Sequence, residues 1–133
     1  MVRILIADDH KVVRETVGYS IQECLQIDLG LAVEVDYVST GEEAVAKFRT
    51  GDYSLLMCDY NFRKNGEANG ITGAQAVRSL REAGVKLPIA ILSLACENEG
   101  PAREAGADVF LKKSGSLDAI VDFVKANLPK VAA

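Results

Sequence analysis

Residues 2–9 read VRILIADD, and this stretch decides the fold class because a nearly unbroken apolar run ends there in two aspartates. Such a run is typical of a parallel strand that is covered on both faces. Similar runs at residues 55–58 and 89–94 predict two more central strands. Residues 33–37 alternate between apolar and polar, and the short run 108–111 is followed by two lysines. These last two segments predict strands at the edges of the sheet.

Helix-like segments lie between the five predicted strands. Residues 39–43 read STGEE and offer two overlapping capping boxes for a helix that reaches about Thr50, and Ser116 is placed to cap the last helix. Three helices should stop at glycines: Gly51, Gly84 and Gly106. We expect a left-handed backbone at each of them. Strands that alternate with helices predict a doubly wound parallel sheet, and the two edge strands give the flavodoxin-like α/β order 2-1-3-4-5.

Two segments lengthen this minimal arrangement. Residues 26–32 extend the first crossover, and residues 60–72 form a polar loop after the third strand. No linker, repeat or low-complexity tract divides the 133 residues. The length and the 49% hydrophobic content therefore predict one domain over residues 1–133.

Composition argues against several classes of protein. The net charge of −4 argues against nucleic-acid binding by this chain alone. No apolar stretch approaches the ~20 residues of a membrane span, and no signal-peptide pattern is present, so we expect a cytoplasmic protein without membrane contact. The three cysteines are odd in number and far apart, which favours reduced thiols over a disulfide or zinc framework.

Charged and polar residues stand at the ends of four predicted strands: Asp8 and Asp9, then Asp59, Ser93, and Lys112 with Lys113. The carboxyl ends of parallel strands meet at one edge of a sheet, so we expect these side chains to converge. Crowded carboxylates repel each other unless a cation lies between them, and Mg2+ prefers oxygen ligands. The pattern predicts that the aspartate pair holds Mg2+ and that Asp59 is both a metal ligand and a nucleophile for a phosphoryl group. Ser93 and a lysine would contact the phosphoryl oxygens.

Each of these residues also has an ordinary explanation. Asp9 alone is consistent with a cap of the first helix, Asp59 and Ser93 each with a turn, and the lysine pair with a solvated edge strand. His10 is expected at the surface of the first helical turn, and Cys58 in the core. The coincidence at four strand ends favours a single site.

Four stretches carry a longer pattern: residues 4–10 (ILIADDH), 56–61 (LMCDYN), 87–93 (LPIAILS) and 105–113 (AGADVFLKK). In these stretches, which span nearly the whole chain, the sequence resembles the response-regulator receiver domains of two-component signalling. The resemblance implies a switch or phosphoryl shuttle rather than an enzyme.

The resemblance also implies a role for each site residue. Asp59 would accept a phosphoryl group from a sensor histidine kinase or a histidine phosphotransfer protein. The implied Mg2+ ligands are Asp8, Asp9, Asp59 and the backbone carbonyl of Asn61. Lys113, rather than Lys112, would contact the phosphoryl group together with Ser93. Phe110 would turn inward with Ser93 and alter a face that binds a downstream protein.

The sequence departs from the receiver pattern in several places. Arg63 stands where proline is usual, the counterpart of a later family glycine is Gly73, and the loop between them is longer. Leu94 is bulky where a small residue is common, and Ser114 replaces a frequent proline. Residues 96–106 predict a fourth helix of about two turns.

Three other functions stay open at this stage. A haloacid-dehalogenase-type phosphatase would have a second aspartate where this chain has Asn61. A flavodoxin-like binding module would have a phosphate cradle where this chain has Asp8 and Asp9. A receiver that signals by protein contact without phosphorylation is the third. The sequence also leaves open whether the chain is free-standing or part of a larger protein.

Overall fold

A computed structural model describes residues 2–113 and 117–128 of the chain. The strands are β1 (Val2–Ala7), β2 (Val33–Val38), β3 (Leu55–Asp59), β4 (Arg63–Lys64), β5 (Glu67–Ala68), β6 (Ile89–Ser93) and β7 (Val109–Lys112). The α-helices are α1 (Lys11–Leu29), α2 (Gly41–Thr50), α3 (Gly73–Glu82), α4 (Glu99–Ala105) and α5 (Leu117–Asn127), and a 3-10 turn spans Cys96–Asn98. The predicted cap at Ser116 and the substitution at Ser114 lie outside the described residues.

Five strands form one sheet in the order β2-β1-β3-β6-β7. Every neighbouring pair in this sheet is parallel. Counted among the five alone, this is the predicted order 2-1-3-4-5, so the flavodoxin-like prediction is confirmed. All residues of β3 and β6 are buried, whereas β2 and β7 are only partly buried, as expected of edge strands.

Alternation along the strands divides the core between the two faces of the sheet. On one face, Leu56 and Ile91 pack with residues of α2, α3 and α4. On the other face, Met57 and Leu92 pack with residues of α1 and α5. Residues two apart in a strand share a face. The packing of each buried run therefore sets the direction of the side chain that follows it.

The first extra segment, residues 26–32, mainly lengthens a helix. Helix α1 continues to Leu29 and ends at Gly30, whose φ of 64° is left-handed and whose N–H donates to Gln26 O at 3.0 Å. No helix in the described part of the chain is both long and apolar enough to span a bilayer.

One of the three glycine predictions is wrong. Gly84 and Gly106 have positive φ, 88° and 111°, but Gly51 has φ −96°. Glycine is needed at position 51 because a larger residue would not fit there. A Cβ at this position would lie 2.4 Å from a ring carbon of Tyr53 and 2.9 Å from Lys47 O.

Side chains cap helices α2 and α3. Of the two possible boxes before α2, the one that begins at Thr40 forms, since Thr40 Oγ1 accepts from the N–H of Glu43. Helix α3 begins with a full capping box between Thr72 and Gln75. Helix α4 is short, as predicted, with seven residues.

The second extra segment, residues 60–72, is not a plain loop. It contains an antiparallel hairpin in which Arg63 pairs with Ala68 and Lys64 with Glu67. The strands are two residues long, too short for a period-2 pattern to be read from the sequence. The inserted hairpin, residues 63–68, is exposed and stands beside the carboxyl end of β3.

Candidate functional site

Three aspartates meet at the carboxyl ends of β1 and β3. Asp8 is fully buried and Asp59 is 4% exposed, because each has the parity that faces α1 and α5. Together with Asp9 and His10 they offer ligand atoms that all lie within 4.8 Å of one another. The predicted convergence of carboxylates from two neighbouring strands is therefore present.

Lys113 lies against two of these carboxylates. Its Nζ is 2.8 Å from Asp8 Oδ2 and 3.0 Å from Asp59 Oδ2, and its side chain is 13% exposed. The neighbouring Lys112 is exposed. Successive residues at a strand end point to opposite sides, so only one of the two lysines reaches the site.

The buried position changes the acid–base properties of the site. Burial, reinforced by the negative charge of Asp8, raises the pKa of Asp59 to about 7 although Lys113 acts in the opposite direction. Burial also opposes the charged form of Lys113, but its close contact with Asp8 and the charge of Asp59 leave the pKa of the ammonium raised. The metal-free site therefore favours a proton or a cation near Asp59.

Asp9 is oriented by the inserted hairpin and not by helix α1. Burial alone would raise its pKa, but the N–H of Arg63, which donates to Asp9 Oδ2 at 2.8 Å, and the nearby His10 lower it overall. The N-cap of α1 is His10, and its side chain makes no capping bond. The interpretation of Asp9 as a helix cap is therefore wrong.

His10 is at the surface, as predicted, with a side chain that is 65% exposed. Its Nδ1 nevertheless lies 3.0 Å from Asp9 Oδ1 and 3.3 Å from Asp8 Oδ1. Cys58 is fully buried, as predicted, and burial next to Asp59 raises the pKa of its thiol. The Cys58 thiol is therefore a core group, and it stays protonated.

Ser93 reaches the same cleft, but its hydroxyl is already engaged. The side-chain amide of Asn98 donates to Ser93 Oγ at 3.0 Å, and the N–H of Ala95 does so at 3.1 Å. Phe110 is half-buried against the core on the face of α2, α3 and α4, away from the aspartates. Asn61 is exposed at the mouth of the site.

A cleft of about 190 Å³ connects these groups. The residues that line it are Asp9, His10, Asp59, Asn61, Arg63, Ser93, Leu94, Ala95 and Lys113. Leu94 is 72% exposed, so its bulk stands at the entrance and not in the core. Asp59 is therefore part of the wall of a cleft.

The donor set fits a hard divalent cation. Within the described residues, Asp8 Oδ2 and Asp9 Oδ1 are buried and receive no well-directed hydrogen bond, although each lies at ion-pair distance from Lys113 or His10. A carboxylate oxygen has room for more than one partner, so each of these two oxygens keeps capacity for a cation besides its basic neighbour. Mg2+ prefers oxygen ligands of this kind.

Sequence reasoning missed two contacts of the site. The Arg63 N–H was hidden because the hairpin that carries it was not predicted. Asn98, five residues after Ser93, was overlooked because side-chain contacts of a 3-10 turn have no periodic signal. The dipeptide Asn65-Gly66 was the available clue to the hairpin, since it is a strong two-residue turn signal.

Comparison with known proteins gives the same class that the site suggests. The family model described as the response regulator receiver domain matches residues 4–125. The chain belongs to this family.

Among curated proteins, the response regulator UvrY of Escherichia coli K12 is 29% identical over 128 residues, which are 95% of this chain and 54% of UvrY. The chain thus spans about half the length of the curated relatives it matches. Among solved structures, the response regulator TrrA of Thermotoga maritima in complex with Mg2+ and BeF is 29% identical, with a TM-score of 0.79 and coverage of 96% of this chain and 100% of TrrA. The chemotaxis protein CheY4 of Vibrio cholerae, at 22% identity and a TM-score of 0.77 over 96% of this chain and 99% of CheY4, shows the same fold.

Proposed function

We propose that this chain is a Mg2+-dependent phosphoacceptor that takes a phosphoryl group on Asp59 and passes the signal to another protein. The observation that carries the proposal is the position of Asp59, which is buried beside Asp8 and 3.0 Å from the ammonium of Lys113. Membership of the receiver family supports it. The proposal treats residues 1–133 as one receiver domain.

The phosphodonor is a phosphohistidine on a sensor histidine kinase or a histidine phosphotransfer protein. An oxygen of Asp59 attacks the phosphorus, a P–O bond forms as the P–N bond breaks, and the imidazole leaves with the electron pair and takes up a proton. Such transfer depends mainly on positioning and on neutralising charge on the moving oxygens. Lys113, already within ion-pair distance of Asp59, supplies one positive charge.

Asp8, Asp9, Asp59 and the carbonyl of Asn61 would hold Mg2+. When bound, the ion would supply a second positive charge for the phosphoryl oxygens. Asp8 Oδ2 and Asp9 Oδ1 support this assignment, because each is buried, faces one basic side chain and accepts no well-directed hydrogen bond from the described residues. The complex of TrrA with Mg2+ and BeF supports it by similarity.

Signalling follows from a change in the hydrogen bonds of Ser93. A phosphoryl group on Asp59 offers its hydroxyl a new acceptor, so the equilibrium shifts toward a state in which Ser93 turns from Asn98 to the phosphoryl group. Phe110 then moves inward on the same face of the sheet, and the surface of α4, β7 and α5 changes for a downstream protein. The chain acts as a switch and not as a turnover enzyme.

The cytoplasm is the proposed site of action. All three cysteines of the chain are free thiols in the structure, which suits a reducing compartment.

Intact-mass measurement tests the phosphoacceptor proposal. With an acyl-phosphate donor and Mg2+, the wild-type chain should gain the mass of one phosphoryl group, and Asp59→Asn should gain none. The gain should disappear when EDTA removes the metal. An unchanged mass with this donor and with several phosphorylated kinases would reject the proposal and favour signalling by protein contact alone.

A further inference from the structure

The inserted hairpin has a conformation that its own sequence specifies. Asn65 and Gly66 at its tip have φ values of 54° and 80°. A two-residue turn with positive φ at both central positions matches the twist of an antiparallel ribbon, and Asn-Gly is its preferred sequence. The ribbon is therefore a defined element.

The base of the hairpin is fixed on the body of the protein. Phe62, just before β4, is 3% exposed in the core, and its carbonyl accepts from the N–H of Asn69 at 2.8 Å. Further along, the N–H of Ile71 donates to the carboxylate of Glu42 on α2 at 3.3 Å. Because both ends of the ribbon are held, the position of Arg63 is set by the fold.

Arg63 connects this ribbon to the acidic site through its backbone. Its N–H donates to Asp9 Oδ2 at 2.8 Å, across 54 positions of sequence. The Asp9 side chain is only 8% exposed. Its other oxygen, Oδ1, lies 3.0 Å from Nδ1 of the exposed His10 and receives no well-directed hydrogen bond from the described residues. One oxygen of Asp9 is thus held by the hairpin, while the other keeps capacity for a cation.

We propose that the inserted hairpin is part of the metal site, with the Arg63 N–H as a positioning group that holds Asp9 in the orientation that binds Mg2+. This inference rests on the proposed function, because it takes Asp9 as a metal ligand. Partners that orient a metal-binding carboxylate commonly contribute tenfold or more to metal affinity. Without the N–H, Asp9 would have to be ordered at the moment of binding, which costs side-chain entropy.

Coupling of this kind is reciprocal. If the position of the hairpin favours Mg2+ binding, Mg2+ must favour the same position of the hairpin by the same factor. A protein that grips the exposed residues 63–68 would therefore change the affinity of the site for Mg2+ without touching an aspartate.

Three variants separate the backbone donor from other effects of the hairpin. Arg63→Pro removes the N–H, Arg63→Ala keeps it and removes only the guanidinium, and Lys64→Pro places the same ring one residue away while the Arg63 N–H remains. Mg2+ titrations are followed by NMR shifts of backbone amides, with circular dichroism as the control for folding. We expect Arg63→Pro to weaken Mg2+ binding about tenfold and Arg63→Ala to stay within about twofold of wild type, with Lys64→Pro closer to wild type than to Arg63→Pro.

Equal Mg2+ affinity in Arg63→Pro and wild type would overturn the inference, and so would an equal loss in Arg63→Ala. No Mg2+ binding by the wild-type chain would instead reject the proposed function. Hydrogen exchange in the wild-type chain serves if Arg63→Pro fails to fold. Saturating Mg2+ should slow exchange of the Arg63 amide about tenfold and leave the Gly66 amide at the tip unchanged, whereas an unaffected Arg63 amide contradicts the coupling.

Discussion

Gly73, the first residue of α3, lies against the backbone of Asp59. A Cβ on Gly73 would stand 2.1 Å from the carbonyl oxygen of Asp59, far inside van der Waals contact. The N–H of Gly73 also donates to Tyr60 O at 2.7 Å. The start of this helix therefore fixes the end of the strand that carries Asp59.

Gly73→Ala should destabilise the fold and disturb the site together. The added methyl group has to push α3 from β3, and overpacking of this kind costs about 1–3 kcal/mol in the free energy of unfolding. Urea denaturation followed by circular dichroism measures this loss, and intact mass after incubation with the acyl-phosphate donor measures the slower phosphorylation. Gly100→Ala in α4 is the matched control, since no atom lies within 4 Å of its added Cβ. A Gly73→Ala protein as stable as Gly100→Ala would contradict this account.

Asp59→Asn should stabilise the metal-free protein at pH 8. The pKa of Asp59 is raised to about 7 in the folded state, while an unfolded aspartate titrates near 3.9. The folded state therefore binds the proton more tightly, and stability falls as the pH rises from about 4 to about 7. Asparagine stays neutral, so its advantage should approach at most about 4 kcal/mol at pH 8 and shrink toward pH 4.

Denaturation of both proteins in EDTA, at several pH values between 4 and 8, measures this difference. Adding Mg2+ at pH 8 should raise the stability of the wild type more than that of Asp59→Asn. The ion neutralises the ionised carboxylate of Asp59, and asparagine has no such charge. A wild-type protein that is more stable than Asp59→Asn at pH 8 without metal would refute the prediction.

Tyr53→Phe should lower the free energy of unfolding at neutral pH but change it little in acid. The Tyr53 hydroxyl donates to Asp36 Oδ2 at 2.6 Å, and this bond, with Arg3 at 2.9 Å, lowers the pKa of Asp36. Because the folded pKa is lowered, the stabilisation is complete above about pH 4 and is lost as the pH falls through the folded value. A hydrogen bond to a charged group contributes about 1.5–3 kcal/mol, so we expect a loss near the lower end of that range for this partly exposed pair.

An NMR titration of the Asp36 carboxyl group and denaturation at pH 7 and pH 2.5 measure the effect of Tyr53→Phe. Tyr53 packs on the sheet face of α2, α3 and α4, opposite to the face of Asp8 and Asp59, and neither Tyr53 nor Asp36 lines the cleft. Mg2+ affinity should therefore not change and serves as the control. A destabilisation of the same size at both pH values would show that lost packing, and not the hydrogen bond, is responsible.

Asn98→Ala should favour the phosphorylated arrangement. Asn98 donates to Ser93 Oγ, and the hydroxyl must give up this bond to turn toward a phosphoryl group. A neutral hydrogen bond contributes about 0.5–1.5 kcal/mol, which corresponds to about 2- to 10-fold. Apparent affinity for beryllofluoride with Mg2+, measured by NMR, should rise by this factor in Asn98→Ala and fall in Ser93→Ala. Unchanged affinity in Asn98→Ala would mean that the amide does not restrain Ser93.

The sequence predicted the sheet because the features that determine a sheet are either periodic or local to a few residues. The apolar runs of β1, β3 and β6 mark buried strands wherever they occur, and Asp8, Asp9 and Asp59 follow them directly. These features need no knowledge of distant contacts. The choice of Lys113 over Lys112 came instead from the resemblance to receiver domains.

The features that sequence reasoning missed depend on contacts between distant segments. The need for glycine at position 51 is explained by the ring of Tyr53 and a helix carbonyl. The orientation of Asp9 is explained by a hairpin residue 54 positions away. The capping box at Thr72 and Gln75 was readable in principle, since its spacing is local. The contact between Ser93 and Asn98 was missed because only the 3-10 turn brings Asn98 to Ser93.

The exposed tip of the inserted hairpin offers a place for a reporter group. Turn tips with small polar residues tolerate changes that would disrupt a packed element. The chain has no tryptophan, so a single one introduced at Lys64, next to the tip, would be the sole indole in the protein. Its fluorescence would follow the ribbon directly, and through the backbone contact to Asp9 it would report ion occupancy in real time.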